Sequence, residues 1–175
     1  QSQRGRTRNK IKMELLLPLE EMHNGATRKL NLRVSNKQKS IEVRIPPGTR
    51  DGNQILVPVK APPSDLYIRL QMKPHSVLRV DGDNTEINVP ISPWEAALGT
   101  TITVATIEGN DEIKVPAGVS SGQKLRLKNR GLNVRGGGRG DHYVCLKIVT
   151  PKELSEMERH HFEKLAKCST FNPRI

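Results

Sequence analysis

The chain has 175 residues, 34% hydrophobic and only 3% aromatic, enough for one ordinary domain or two small ones but thin for a single large core. Its 29 Lys+Arg against 18 Asp+Glu give a formal charge of +11 at pH 7, which points to an anionic partner (nucleic acid, an acidic membrane surface or an acidic protein) or else to a plainly basic surface. Cys145 and Cys168 form no CxxC pair, which excludes a structural zinc site of the usual kind and reads as reduced thiols of a cytoplasmic protein. No apolar run of membrane-spanning length occurs.

In chain order, the basic opening Gln1 to Lys10 reads as a linker or tail rather than a signal peptide. Ile11, Met13, Leu15 and Leu17 then alternate with Lys12, Glu14 and Leu16, the period of two of a half-buried strand. Leu30, Leu32 and Val34 repeat the pattern, and so do Ile41, Val43 and Ile45. Pro46 and Pro47 stop the latter strand, because proline cannot donate to a ladder. Further strands are expected at Gln54 to Val57, Thr101 to Val104, Ile113 to Val115, Lys124 to Leu127 and Tyr143 to Val149. Ser155 with Glu158 forms a capping box. Leu154, Met157, His161, Phe162 and Leu165 then make a helical stripe, which either docks on the preceding module or pairs with its copy in another subunit.

The chain also repeats itself. Ile45-Pro46-Pro47-Gly48 is echoed by Val115-Pro116-Ala117-Gly118, Asp51-Gly52 by Ser121-Gly122, and Asp65-Leu66-Tyr67 by Asp141-His142-Tyr143, at offsets of about 70 to 76 residues. A long period used twice indicates a duplicated domain rather than a solenoid. The expected fold is therefore mainly β: two tandem small sandwich- or barrel-like modules, each with a short helix, followed by a C-terminal amphipathic helix. The expected boundaries are a basic linker 1–10, a first module 11–77, a second module 78–151 and a helix with tail 152–175. The second copy carries an extra loop, Asn129 to Gly140, rich in glycine. It precedes a strand, so it lacks the helix N-terminus that would cradle phosphate, and it reads as a flexible hairpin loop. Neither GxSxG nor HExxH nor a phosphate loop is present, and His160-His161 point to different helix faces. No enzyme, no metal site and no cofactor is expected.

These ordered motifs, with Lys73-Pro74-His75 and Gly136-Gly137-Gly138-Arg139-Gly140-Asp141, closely resemble the C-terminal half of the DnaJ-type co-chaperones over about residues 11 to 167. Val89 to Gly99 and the tail Ser169 to Arg174 resemble the nucleoid-associated, curved-DNA-binding bacterial branch of that family. No His-Pro-Asp motif and no CxxCxGxG repeat occurs in the chain, so neither a J-domain nor a zinc region is among its parts. The resemblance implies a non-enzymatic, bacterial cytoplasmic protein that holds unfolded polypeptide for a DnaK-type chaperone. It implies that client peptide adds as a strand to an edge of the first module and places an apolar side chain in a pocket of Ile11, Leu30, Leu32, Ile55 and Val57. Leu78 stands where the family has phenylalanine in His-x-x-Phe, which implies a differently shaped pocket. Alternating apolar residues of this kind otherwise simply fill a core. The DNA-binding branch implies duplex contacts through charge and shape, for which Arg4, Arg6, Arg8 and Lys10, with Arg28 and Lys29, are the candidates. The same tail reads equally as a solvated linker. Leu154, Met157, Phe162 and Leu165 are the candidate homodimer contacts.

Overall fold

A computed structural model describes residues 9–34, 36–60 and 64–175. The first module runs β1 (Asn9–Leu17), α1 (Leu19–Asn24), β2 (Ala26–Val34), β3 (Lys37–Ile45), β4 (Gln54–Val59) and β5 (Ser64–Met72). The second runs β6 (Arg79–Asp81), β7 (Asn84–Ile91), α2 (Pro93–Leu98), β8 (Thr100–Thr106), β9 (Gly109–Val115), β10 (Lys124–Leu127) and β11 (His142–Ile148), and α3 (Glu156–Cys168) follows. In each module the strand before the short helix, β1 or β7, pairs in parallel with the last strand, and the penultimate strand is added on the far side. The sheets are ordered β1-β5-β4 and β10-β11-β7-β6, and each module adds one separate hairpin, β2-β3 or β8-β9. The duplication read from the motifs is thus a duplication of topology.

Hydrogen bonds explain why those motifs recur. Proline ends β3 and β9, and the glycine after it takes a positive φ, 78° at Gly48 and 82° at Gly118, a region where a side chain is disfavoured. The turned backbone then donates its N–H to the carbonyl of the short helix, Gly48 to Met22 at 3.0 Å and Gly118 to Ala96 at 2.8 Å. In the next turn Gly52 N–H donates to Leu70 O at 2.8 Å, and Gly122 N–H donates to Leu146 O at 2.7 Å. The residue before each glycine caps the neighbouring strand: Asp51 Oδ1 accepts from Met72 N–H at 2.6 Å and Ser121 Oγ from Ile148 N–H at 3.0 Å. Aspartate and serine are equivalent here because each offers one short acceptor arm.

Two apolar clusters form the core. Leu17, Met22, Val43, Ile45, Val59, Leu66, Ile68 and Leu70 fill the first module. Ile87, Ile91, Val104, Val115, Leu132, Val144 and Leu146 are among those filling the second. The clusters meet, since Leu19 of α1 packs in the second and Met72 touches both. Around this contact lies a polar junction. His23, wholly buried at the end of α1, accepts the Asn133 N–H at Nδ1 (3.0 Å), while Asn133 Nδ2 donates to the His23 carbonyl (3.0 Å). With Nδ1 an acceptor, Nε2 carries the proton and faces Glu108 Oε1 at 3.4 Å. Glu108 in turn holds Arg139 at 2.7 Å, and Arg50 bridges Asp83 and the Asn133 carbonyl. Burial pushes the His23 pKa down.

The glycine-rich loop supplies Asn133 and Arg139, so its reading as a merely flexible loop is corrected at its base. A side chain on Gly140 would stand 2.0 Å from the Asp83 carbonyl oxygen, and one on Gly48 2.7 Å from the Arg135 nitrogen. Glycine is required there for close backbone approach, within the second module at Gly140 and between the modules at Gly48; Asn129, Arg130 and the tip, Arg135 to Gly138, are exposed.

Candidate functional site

β2 pairs only with β3 and β1 only with β5, so among the described strands each keeps one open edge. Open edges present unpaired N–H and C=O groups that an added strand can complete. The side chains beside them come from alternation. On one face of β2, Leu30 lies opposite Ile41 and Leu32 opposite Lys39; on β1, Ile11 lies opposite Leu66 of β5. Ile55 and Val57 of β4 lie opposite Ile68 and Leu66. The five residues Ile11, Leu30, Leu32, Ile55 and Val57 share one description: partly buried and packed against the first-module core. Their half-exposure leaves apolar surface at the margin of that core beside an open edge.

Leu78 stands apart. It is 4% exposed and packs in the second cluster, not the first. Its N–H donates to His75 Nδ1 at 2.9 Å, and His75 Nε2 lies 3.2 Å from Glu20 on α1. The histidine of the Lys-Pro-His motif thus organises the passage between modules and leaves Leu78 in the second core.

In the second module β8, like β2, pairs with one strand only, but the positions matching Leu30 and Ile11 are buried. Gly25 and Gly99 end the two helices with φ of 78° and 80°, which aligns Leu30 with Val104, Leu32 with Thr106 and Ile11 with Thr85. Val104 is 2% exposed and Thr85 is wholly buried. β6 pairs with Asn84, Thr85 and Glu86 of β7, on the edge that β1 leaves open. Beyond Thr106, the turn of the β8-β9 hairpin carries Ile107 into the second core and Glu108 into the junction.

The candidate DNA contacts are scattered. Arg4, Arg6 and Arg8 lie outside the described residues. Lys10 is exposed at the start of β1, where it borders a groove of about 720 Å³ with Lys12, Glu14, Tyr67 and Arg69. Arg28 is engaged with Glu21 through two hydrogen bonds, one from Nε at 2.8 Å. Lys29 projects from the other face of β2 and is exposed.

α3 has the expected start. Ser155 Oγ accepts from Glu158 N–H at 3.2 Å and Glu158 Oε2 from Ser155 N–H at 2.8 Å. The Ser155 bonds pull the Glu158 pKa down. Phe162 reaches the Trp94 ring of α2, with centroids 6.3 Å apart. A groove of about 520 Å³ lies there, lined by Trp94, Ala97, Leu98, His161, Phe162 and Leu165 among others. Leu154 and Phe162 are half-buried, whereas Met157 and Leu165 are exposed. The helix meets α2 through the Phe162 and Trp94 rings and leaves Met157 and Leu165 of its stripe exposed. Sequence reasoning named the stripe but not Trp94 and Leu98, its neighbours on α2; their exposure is invisible until the two helices are placed together.

Among the described residues no cluster of metal-binding side chains is found and no helix is long and apolar enough to cross a membrane. The DnaJ C-terminal domain model matches residues 11–151. A curved DNA-binding protein of Coxiella burnetii is 36% identical over 173 residues, covering 89% of this chain and 55% of that protein. A DnaJ-like protein of Synechocystis is 42% identical over 166 residues, with coverages of 91% and 49%. The chaperone protein DnaJ of Geobacillus thermodenitrificans is 43% identical over 131 residues, with coverages of 70% and 34%. The chain thus spans about half the length of the first two. With the matched span enclosing both modules, their junction and the open-edged strands β1 and β2, the chain belongs to the DnaJ C-terminal domain family.

Proposed function

We propose that the chain is the polypeptide-holding part of a DnaJ-type co-chaperone, which captures extended client segments for a DnaK-type chaperone. The observation that carries this reading is the difference between matched positions: Leu30 and Ile11 are half-exposed beside open edges, while Val104 and Thr85 are sealed. An added strand completes backbone hydrogen bonds regardless of sequence, and one apolar client side chain settles against Leu30, Leu32 and Ile11. Burying one such side chain contributes roughly 1.5–3 kcal/mol, in keeping with weak and reversible capture. Ile55 and Val57 extend the same margin. A labelled extended peptide with a central leucine tests the reading by anisotropy. Leu30→Ser/Leu32→Ser lowers its affinity about tenfold or more; unchanged affinity in the folded variant rejects this surface.

A second activity, duplex DNA binding, is favoured by the charge of +11 and by the similarity to the curved DNA-binding protein of Coxiella. Lys10, with Arg4, Arg6 and Arg8, remains a candidate contact. Two copies of the chain joining through Met157, Leu165 and Leu98 would cover the exposed stripe. Light scattering tests this, since Leu98→Asp/Leu165→Asp converts a dimer to a monomer, and an intact chain that is already monomeric removes the idea.

A further inference from the structure

Eight side chains form the outward face of the β2-β3 hairpin, and all eight are exposed. Three are cations, Lys29, Arg33 and Arg44, against one acid, Glu42. The remaining four, Thr27, Asn31, Gln38 and Ser40, are small or amide-bearing polar groups. No described salt bridge engages Lys29, Arg33 or Arg44. The second module differs in both respects. The outward face of β8-β9 carries Lys114 against Glu112, with no further charge. Much of that module's positive charge is also paired: Arg79 and Lys124 with Glu86, Arg126 with Asp141, Arg130 with Asp111 and Arg139 with Glu108. A two-stranded ribbon of the first module thus gathers three cations with no described salt bridge on one exposed face, against a single acid.

Resting on the DNA-binding reading above, we infer that duplex DNA lies against this outward face, with Lys29, Arg33 and Arg44 on its phosphates. Along a strand, about 3.4 Å per residue separates Lys29 from Arg33 by about 14 Å, and Arg44, opposite Thr27, by a further ~7 Å in the other direction. The ribbon thus presents cations over about 20 Å, a length of duplex carrying about 12 phosphates. A two-stranded ribbon fits the major groove, and amide and hydroxyl side chains suit phosphate, sugar and base edges alike. The face has no Trp, Phe or Leu to enter a bilayer interface, which disfavours an anionic membrane as the partner. Leu30 and Leu32 point to the opposite face of the same strand, so DNA and client would use the two sides of one ribbon.

The test is anisotropy of a short labelled duplex with the full chain at several salt concentrations. The comparison sets Lys29→Gln/Arg33→Gln/Arg44→Gln beside a charge-matched variant, Lys114→Gln/Lys147→Gln/Lys152→Gln, built from exposed lysines of the second module and the segment that follows it. All substitutions are on exposed side chains, and circular dichroism verifies the fold; Arg33→Gln alone is the fallback. The hairpin variant is expected to bind at least about tenfold more weakly at low salt, with a log–log slope shallower by about 2.7, while the control changes by less than about threefold. Equal loss in both variants overturns the assignment in favour of net charge alone. Wild-type affinity in the hairpin variant overturns it in favour of another site. Preference of the hairpin for anionic phosphatidylserine vesicles over duplex overturns it in favour of a membrane. Failure of the wild-type chain to bind duplex at low salt is a different result, because it removes the DNA-binding reading itself.

Discussion

Ile11 faces Leu66 across the β1-β5 ladder; at the corresponding place in the second module stand Thr85 and His142, hydrogen-bonded at 2.7 Å and both wholly buried. The first pair is apolar, with Ile11 half-exposed over a buried Leu66, while the second is polar and sealed beside the edge that β6 occupies. The hairpins differ in the same sense. β8-β9 is short and anchored through Glu108 at the junction, whereas β2-β3 is two residues longer per strand. One backbone plan thus yields a module in which Val104 and Thr85 are buried and a module in which the matched Leu30 and Ile11 stay half-exposed. The difference teaches that duplication provided a scaffold, and that local side-chain changes decide which copy keeps apolar surface available.

The largest expected effect breaks this comparison at matched residues. Val104→Asp places a carboxylate in the second core and costs several kcal/mol or prevents folding. Leu30→Asp, at the equivalent but half-exposed position, costs about 1–2 kcal/mol. Urea denaturation compares them, and equal losses would mean that Leu30 is core rather than binding surface.

Next in size is the glycine pair. Gly48→Ala and Gly118→Ala both strain a positive φ, at about 1–2 kcal/mol. Only Gly48 also meets the backbone of Arg135, whereas nothing lies within 4 Å of Gly118. Gly48→Ala is therefore expected to lower the melting temperature by several degrees more than Gly118→Ala. Equal shifts would mean that the glycine-loop contact does not join the modules.

The smallest effect is on pH dependence. Burial lowers the pKa of His23 and of His142 below the usual 6.5. The unfolded chain therefore takes up protons that the folded chain refuses. Stability is fully present above 6.5 and falls as pH drops below it, by at most about 1.4 kcal/mol per pH unit for each histidine. His23→Gln should flatten this slope by up to one proton; an unchanged slope between pH 6.5 and 5.5 would show that the buried imidazole does not resist protonation.

Much of the fold was legible in the sequence because its signals are local. Alternation marked β1, β2 and β3, prolines ended β3 and β9, and the Ser155–Glu158 box opened α3. The repeat was readable because each motif performs one backbone task, such as the shared acceptor role of Asp51 and Ser121. What escaped was non-local. His23 carries no sequence signal that Asn133, 110 residues away, will satisfy its ring. The base of the glycine loop reads as flexible until a second backbone is placed against it. Leu78 could be named from a motif, but its burial depends on which core lies beneath. Likewise, the contrast between the hairpins' outward faces needs the strand register, which fixes which charges share a side.

The most direct test of the central claim, that the first module holds the client, is an NMR titration of the whole chain with an extended leucine-containing peptide, following backbone amides. The account predicts shifts concentrated along β2 from Ala26 to Val34 and at the start of β1, with the amides of β7 and β8 unmoved. Shifts centred instead on β8-β9, or on the groove between α2 and α3, would contradict it.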